Sequence, residues 1–118
     1  MKPRVLVVDD QTVFLATACR LLTAEGFEVV GTAADGDEAV RCAALLRPDV
    51  VLLDVGLPDG DGFSVAERLI RLDPKPAIVL TSSREARDYG GAVGAAPVEG
   101  FVAKHELTGA RVAALLPR

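Results

Sequence analysis

Histidine is almost absent: His105 is the only one among 118 residues. A lone imidazole makes neither a histidine metal centre nor a catalytic triad, and we expect it to be exposed. Cysteine is nearly as rare. Cys19 and Cys42 form no C-x-x-C pair and fall in helical patterns, so we expect buried, reduced thiols and no disulfide or zinc site. Long apolar runs are missing, and none approaches the roughly 18 residues of a membrane span. At the N-terminus, Val5 to Val8 is followed at once by two acids, so we expect no signal peptide. Lysine and arginine never cluster, and the net charge is −4, the wrong sign for a nucleic-acid surface. There is no GxxxxGK[ST] and so no P-loop. Internal repeats, low-complexity tracts and interdomain linkers are also absent. We therefore expect one cytoplasmic domain, with no direct nucleic-acid or membrane partner. With 50% hydrophobic and 25% charged residues, it is expected to fold around a real core.

What is present centres on residues 48–62. Val50 to Leu53 is an unbroken apolar run, bounded by Pro48 and closed by Asp54. A run this short between chain breakers reads as a strand buried on both faces. Asp54 then stands at its carboxyl end, before Gly56, Pro58, Gly60 and Gly62. Taken alone, an Asp there is a loop residue. The remaining chain changes that reading.

Arg4 to Val8 reads as a first strand, ending at Asp9 and Asp10. Phe14, Leu15, Ala18, Leu21 and Leu22 follow helical spacing until Gly26. Residues 28–31 form a short second strand. Asp35 with Glu38 looks like a helix start, continued by Ala39, Val40, Ala43, Leu45 and Leu46. After the central strand, a helix over 63–70 closes at Asp73-Pro74. Residues 77–80 make a fourth strand ending at Thr81. A weak helix is expected over 84–93, made marginal by Gly90 and Gly91 and by the following Gly94 and Pro97. A fifth strand spans 100–103 and ends at Lys104, and a last helix spans 107–116. Five strands alternating with five helices predict βαβ units with right-handed crossovers and a parallel sheet covered on both faces.

In such a sheet all carboxyl ends share one edge. With strand order 2-1-3-4-5, the first and third strands are neighbours, and Asp9, Asp10 and Asp54 converge beside Thr81 and Lys104. Two unit charges 4 Å apart repel by about 4 kcal/mol at an effective dielectric near 20. Either one acid holds a proton or a cation sits among them. Oxygen ligands with an open side suit Mg²⁺. A carboxylate nucleophile, a divalent cation, a hydroxyl and a lysine are together the parts for moving a phosphoryl group.

Four segments, Val7-Val8-Asp9-Asp10, residues 52–62 around Asp54, Val79-Leu80-Thr81-Ser82 and residues 100–104 ending in Lys104, resemble the receiver domain of two-component response regulators. Each is weak alone; their order and spacing together are specific. The resemblance implies a flavodoxin-like (βα)5 three-layer sandwich over residues 1–118, with no output domain in this chain. It implies that Asp54 accepts a phosphoryl group from a sensor histidine kinase or a histidine phosphotransfer protein. Asp10, Asp54 and the Gly56 carbonyl would hold Mg²⁺, with Asp9 acting mostly through water. Thr81 and Lys104 would contact the phosphoryl group, and Phe101 would be the aromatic switch partner of Thr81. The output surface would be the fourth helix, fifth strand and fifth helix. His105 stands where the family often has proline, commonly after a cis bond.

Two other functions fit parts of this pattern. An aspartyl-phosphate phosphatase or phosphotransferase resembling haloacid dehalogenases would need a D-x-D and a cap domain, and here the acids are adjacent. A phosphorylation-independent docking module would not need the three acids and Lys104. The stretch Asp59-Gly-Asp61-Gly62 hints at a calcium loop, but the ligand pattern requires acids where Leu57 and Arg68 stand.

Overall fold

The computed structural model describes residues 1–117. Strands β1 (Arg4–Val8), β2 (Glu28–Ala33), β3 (Val50–Asp54), β6 (Ala77–Ser82) and β7 (Gly100–Ala103) form one sheet. All its pairings are parallel, in the order β2-β1-β3-β6-β7. The remaining pair, β4 (Gly56–Leu57) and β5 (Gly60–Asp61), is a small antiparallel hairpin after β3. With the hairpin set aside, the order is the expected 2-1-3-4-5, the flavodoxin-like arrangement.

Side chains alternate across a strand, and that alternation builds two cores. Val5, Val7, Val50, Leu52 and Val79 face Ala18 and Leu22 of α1 (Thr12–Ala24) and Val112 of α5 (Gly109–Leu115). Leu6, Val8, Val51, Leu53, Ile78 and Leu80 face α2 (Gly36–Leu46) and α3 (Gly62–Leu69). Every residue of β3 and β6 is buried, which explains why these strands read as continuous apolar runs. Cys19 and Cys42 lie in α1 and α2 as unpaired thiols, but half-buried and not fully buried as expected. Burial pushes the Cys19 thiol up from its ordinary pKa.

Three helices begin on side-chain caps. Asp35, Asp61 and Thr108 accept from the backbone N–H of Glu38, Ser64 and Arg111 at 2.8, 2.8 and 3.0 Å. Glu38 reaches back to the N–H of Ala34, one residue earlier than the capping box anticipated from the sequence. Thr108 also corrects the start of the last helix, which opens at Gly109 and not at 107.

The largest departure from the sequence reading lies between β6 and β7. A weak helix over 84–93 is expected; the chain instead makes a 3-10 turn, Ala86–Tyr89, and a single helical turn, α4 (Ala92–Ala95). Gly90 adopts φ +60°, outside helical geometry, and separates the two. Glu85 N–H bonds Asp88 Oδ2 at 2.9 Å, fixing the turn locally. The bond between Lys104 and His105 is trans; among the described residues the cis bond is Asp73–Pro74.

The hairpin loop is tied to α2 through Asp59. Its two oxygens accept from Gly36 N–H at 2.8 Å and Asp37 N–H at 3.1 Å. These bonds hold the Asp59 carboxyl below its usual pKa. A group with a lowered folded pKa stabilises the fold above the unfolded value, 3.8, and loses that contribution as pH falls through the folded value. We therefore expect Asp59→Ala to lower the melting temperature at neutral pH, with the gap to wild type closing below about pH 4. A gap unchanged down to pH 2.5 in thermal melts would contradict an ionised Asp59 as its source.

Candidate functional site

The carboxyl edge of the sheet collects the polar residues that end its strands. Asp9 and Asp10 follow β1, Asp54 ends β3, Thr81 is the penultimate residue of β6 and Lys104 follows β7. Lys104 opens a short 3-10 turn, Lys104–Glu106, one residue past the strand that was expected to end on it. Because β1 and β3 are paired, with Val8 opposite Leu53, the acids after them meet. Asp54 lies opposite Thr81 in the β3–β6 pairing, and Val55 N–H bonds the Thr81 carbonyl at 2.9 Å.

The end of β3 is held by close packing. A Cβ on Gly62 would stand 2.6 Å from the Asp54 carbonyl oxygen and 2.8 Å from Val55 Cα. Only glycine lets the start of α3 approach this closely, and Gly62 N–H bonds the Val55 carbonyl at 2.7 Å.

Asp9 is 1% exposed and Asp54 5% exposed, while Asp10 faces solvent. One carboxylate oxygen from each of the three acids lies within 4.8 Å of the others. Lys104 Nζ spans the buried pair, 2.7 Å from Asp9 Oδ2 and 3.6 Å from Asp54 Oδ2. Asp9 Oδ2 has no polar partner besides the Lys104 ammonium. Asp9 Oδ1 accepts from Gln11 N–H at 2.8 Å, and Gly56 N–H reaches Asp54 Oδ1 at 3.3 Å.

Burial raises the Asp54 pKa first, and the neighbouring Asp9 charge raises it further. Lys104 and the Gly56 N–H pull it down, and Asp10 adds a smaller upward push. The arrangement is a buried carboxylate whose ionised form is costly until positive charge arrives.

A family profile matches this geometry in sequence. The profile of the response regulator receiver domain covers residues 5–115. The chain belongs to the response regulator receiver family.

Its relatives include protein-glutamate methylesterase/protein-glutamine glutaminase 2 of Anaeromyxobacter dehalogenans, 48% identical over 81 residues. That match takes in 68% of this chain and 24% of the relative. Transcriptional regulatory protein PdtaR of Mycobacterium tuberculosis is 40% identical over 93 residues, covering 74% of this chain and 45% of the relative. The chain thus spans less than half the length of these curated relatives. Among solved structures, the CheX–CheY–BeF3–Mg²⁺ complex of Borrelia burgdorferi superposes with a TM-score of 0.80 at 27% identity, over 95% of this chain and 84% of that one.

The receiver's site brings Asp9, Asp10, Asp54 and Lys104 together, with Gly56 and Thr81 next to Asp54, while Phe101 lies further back in the same sheet, on β7 opposite Leu80. Phe101 is half-buried, and its ring lies 6.2 Å from that of Tyr89. Tyr89 in turn meets Phe63 edge-on at 5.7 Å, and its hydroxyl hydrogen-bonds the Ser82 hydroxyl. Neither Tyr89 nor Ser82 stood out in the sequence reading. The available signal was that Tyr89 is the only tyrosine of the chain.

A second group of ligand-type side chains, Glu85, His105 and Glu106, lies beside the site. It is more open to solvent, and its charges face one another or Arg111: His105 Nε2 is 3.3 Å from Glu85 and Arg111 is 4.0 Å from Glu106. His105 is exposed, as expected.

Proposed function

We propose that this receiver takes a phosphoryl group onto Asp54 from a histidine kinase or histidine phosphotransfer protein, with Mg²⁺ bound among the acids. The observation that carries the reading is the buried Asp9–Asp54 pair bridged by Lys104. A carboxylate oxygen of Asp54 attacks phosphorus, the bond from phosphorus to its donor nitrogen breaks, and an acyl phosphate forms. Lys104 would meet a phosphoryl oxygen, and Thr81, opposite Asp54 in the sheet, would donate its hydroxyl to another.

The donor set fits magnesium: three carboxylates, all oxygen, one of them facing water. Asp10, Asp54 and the Gly56 carbonyl would hold the ion, with Asp9 acting mostly through water. Bound there, Mg²⁺ would offset charge on the phosphoryl oxygens. The similar Borrelia burgdorferi complex contains both BeF3 and Mg²⁺, which supports this chemistry. A histidine-kinase donor would put the chain in the cytoplasm; among the described residues no helix is long and apolar enough to cross a membrane.

Incubation with acetyl phosphate and Mg²⁺, followed by intact-mass measurement, tests the reading. One added phosphoryl group is the expected result. No adduct would favour a docking module that does not use phosphate. Steady turnover of a separate phosphorylated substrate would favour a phosphatase or phosphotransferase.

The output surface follows from the same edge. A phosphoryl group on Asp54 brings new acceptor oxygens next to Thr81. Drawing the Thr81 hydroxyl toward them opens space into which Phe101 turns. The overlying segment is two short helical turns parted at Gly90 and contributes no fully buried residue, so little free energy shifts its population. Amide exchange is therefore expected to be fast across residues 84–99 and to slow there on adding beryllofluoride with Mg²⁺. Unchanged exchange over 84–104 would remove the switch from this surface, formed by the 86–95 turns, β7 and α5.

A further inference from the structure

The site contains two contacts that phosphoryl chemistry alone does not require, and both come from the first turn of α1. The Gln11 side-chain carbonyl accepts from Lys104 Nζ at 3.1 Å. The Phe14 ring lies beneath the same ammonium, 4.6 Å from Nζ to its centroid.

Gln11 is also out of place by local rules. It occupies the N-cap of α1, where a short Ser, Thr, Asp or Asn side chain normally turns back onto the helix. Its side chain caps nothing. Helices α2, α3 and α5 all carry such a cap, on Asp35, Asp61 and Thr108. The longest helix of the fold forgoes it, and the side chain that would supply it reaches Lys104 instead. A local rule broken where a contact is gained at the functional edge marks a residue kept for the site.

We propose that Gln11, backed by Phe14, is a positioning residue that keeps the Lys104 ammonium aimed at the incoming phosphoryl group. The proposal rests on the phosphoacceptor reading above. In the metal-free protein Asp9 supplies the strongest hold on Lys104, at 2.7 Å. A divalent cation entering the acid cluster competes for that carboxylate charge and weakens the ion pair. Gln11 and Phe14 carry no charge for the metal to claim, so their hold persists when the site is loaded. They also leave the right donor free. An ammonium has three N–H groups. Gln11 takes one, and Asp54 Oδ2 at 3.6 Å lies too far for a hydrogen bond. Hydrogen-bonding capacity on the Asp54 side is thus open for a phosphoryl oxygen. With the Lys104 side chain only 11% exposed, the ammonium has little room to swing elsewhere.

The test is Gln11→Met, which keeps side-chain length and removes the acceptor oxygen. At saturating Mg²⁺, uptake of phosphoryl from acetyl phosphate is expected to slow about tenfold, the scale of one charge-assisted hydrogen bond. Magnesium affinity is expected to move by less than about twofold, because Gln11 is not a ligand. The same substitution in a Lys104→Met background is expected to have no further effect on the rate. A capping or packing role for Gln11 predicts the reverse, with equal slowing in both backgrounds, and that result overturns the proposal. NMR of the Lys104 side chain in the Mg²⁺-loaded, unphosphorylated protein gives an independent readout. The wild-type signal is expected to be distinct and the Gln11→Met signal averaged toward that of a free lysine; identical signals overturn the proposal. Should the wild type itself gain no phosphoryl group, the phosphoacceptor reading fails, and the lysine signal alone decides whether Gln11 holds Lys104.

Discussion

Replacing Asp54 with asparagine is expected to abolish the mass gain on incubation with acetyl phosphate and Mg²⁺. An amide oxygen is a poor nucleophile toward phosphorus, and no other acid at this edge shares the position of Asp54. Asp9 is buried behind Lys104 at 2.7 Å, and Asp10 faces solvent. Undiminished labelling of the variant would remove Asp54 from the role. The same substitution is expected to raise the melting temperature of the metal-free protein. Burial and the Asp9 charge raise the Asp54 pKa, so its ionised form opposes folding. For an acid with a raised folded pKa the penalty is absent below the unfolded value, 3.8, and grows as pH rises through the folded value. The stabilisation by asparagine should therefore be largest at neutral pH and vanish in acid. Added Mg²⁺ should shrink it too, because the cation relieves the same repulsion in the wild type.

Asp10→Ala is expected to weaken Mg²⁺ binding by on the order of a hundredfold, about 2.7 kcal/mol. Asp10 is the acid open to solvent, while Lys104 already partners Asp9 and Asp54. It is therefore the carboxylate whose charge is least compensated within the protein and most available to an ion. Its removal leaves two acids and one lysine, a cluster with a net charge nearer zero and little pull on a dication. Titration with Mg²⁺, followed through backbone NMR shifts near Asp54, measures the change. Equal affinities in wild type and variant would count against the site. The fold should be unaffected, because Asp10 is exposed.

The sequence carried the sheet almost completely, and for a clear reason. In β3 and β6 every residue is buried, so apolar content marks the strand directly, and a carboxylate or hydroxyl marks its end. Given the strand order 2-1-3-4-5, a condition of the sequence reading that the structure meets, the convergence of Asp9, Asp10, Asp54, Thr81 and Lys104 at one edge follows. The helix expected over 84–93 was already weak on account of its glycines, and in the structure it breaks into two turns. Gly90 at φ +60° stops the first turn, and the apolar contacts of Tyr89 and Val98 with the core hold the segment without a full helix.

Side-chain contacts between separate elements were not legible. Asp59 bonding the start of α2, Tyr89 bonding Ser82, and Gln11 holding Lys104 across 93 positions leave no periodic trace. Each depends on a single polar side chain meeting a particular partner, and hydrophobic pattern carries no information about such pairs. The sequence by itself determined the alternation of strands and helices, the two-faced core and the acids at one edge, because these follow from burial and connectivity repeated over many residues. Only the tertiary structure decided which acids are buried, which one Lys104 pairs with, and that Gln11 leaves its helix uncapped to reach that lysine. Those outcomes turn on distances of a few ångströms between side chains, set by how helices and loops settle over the finished sheet.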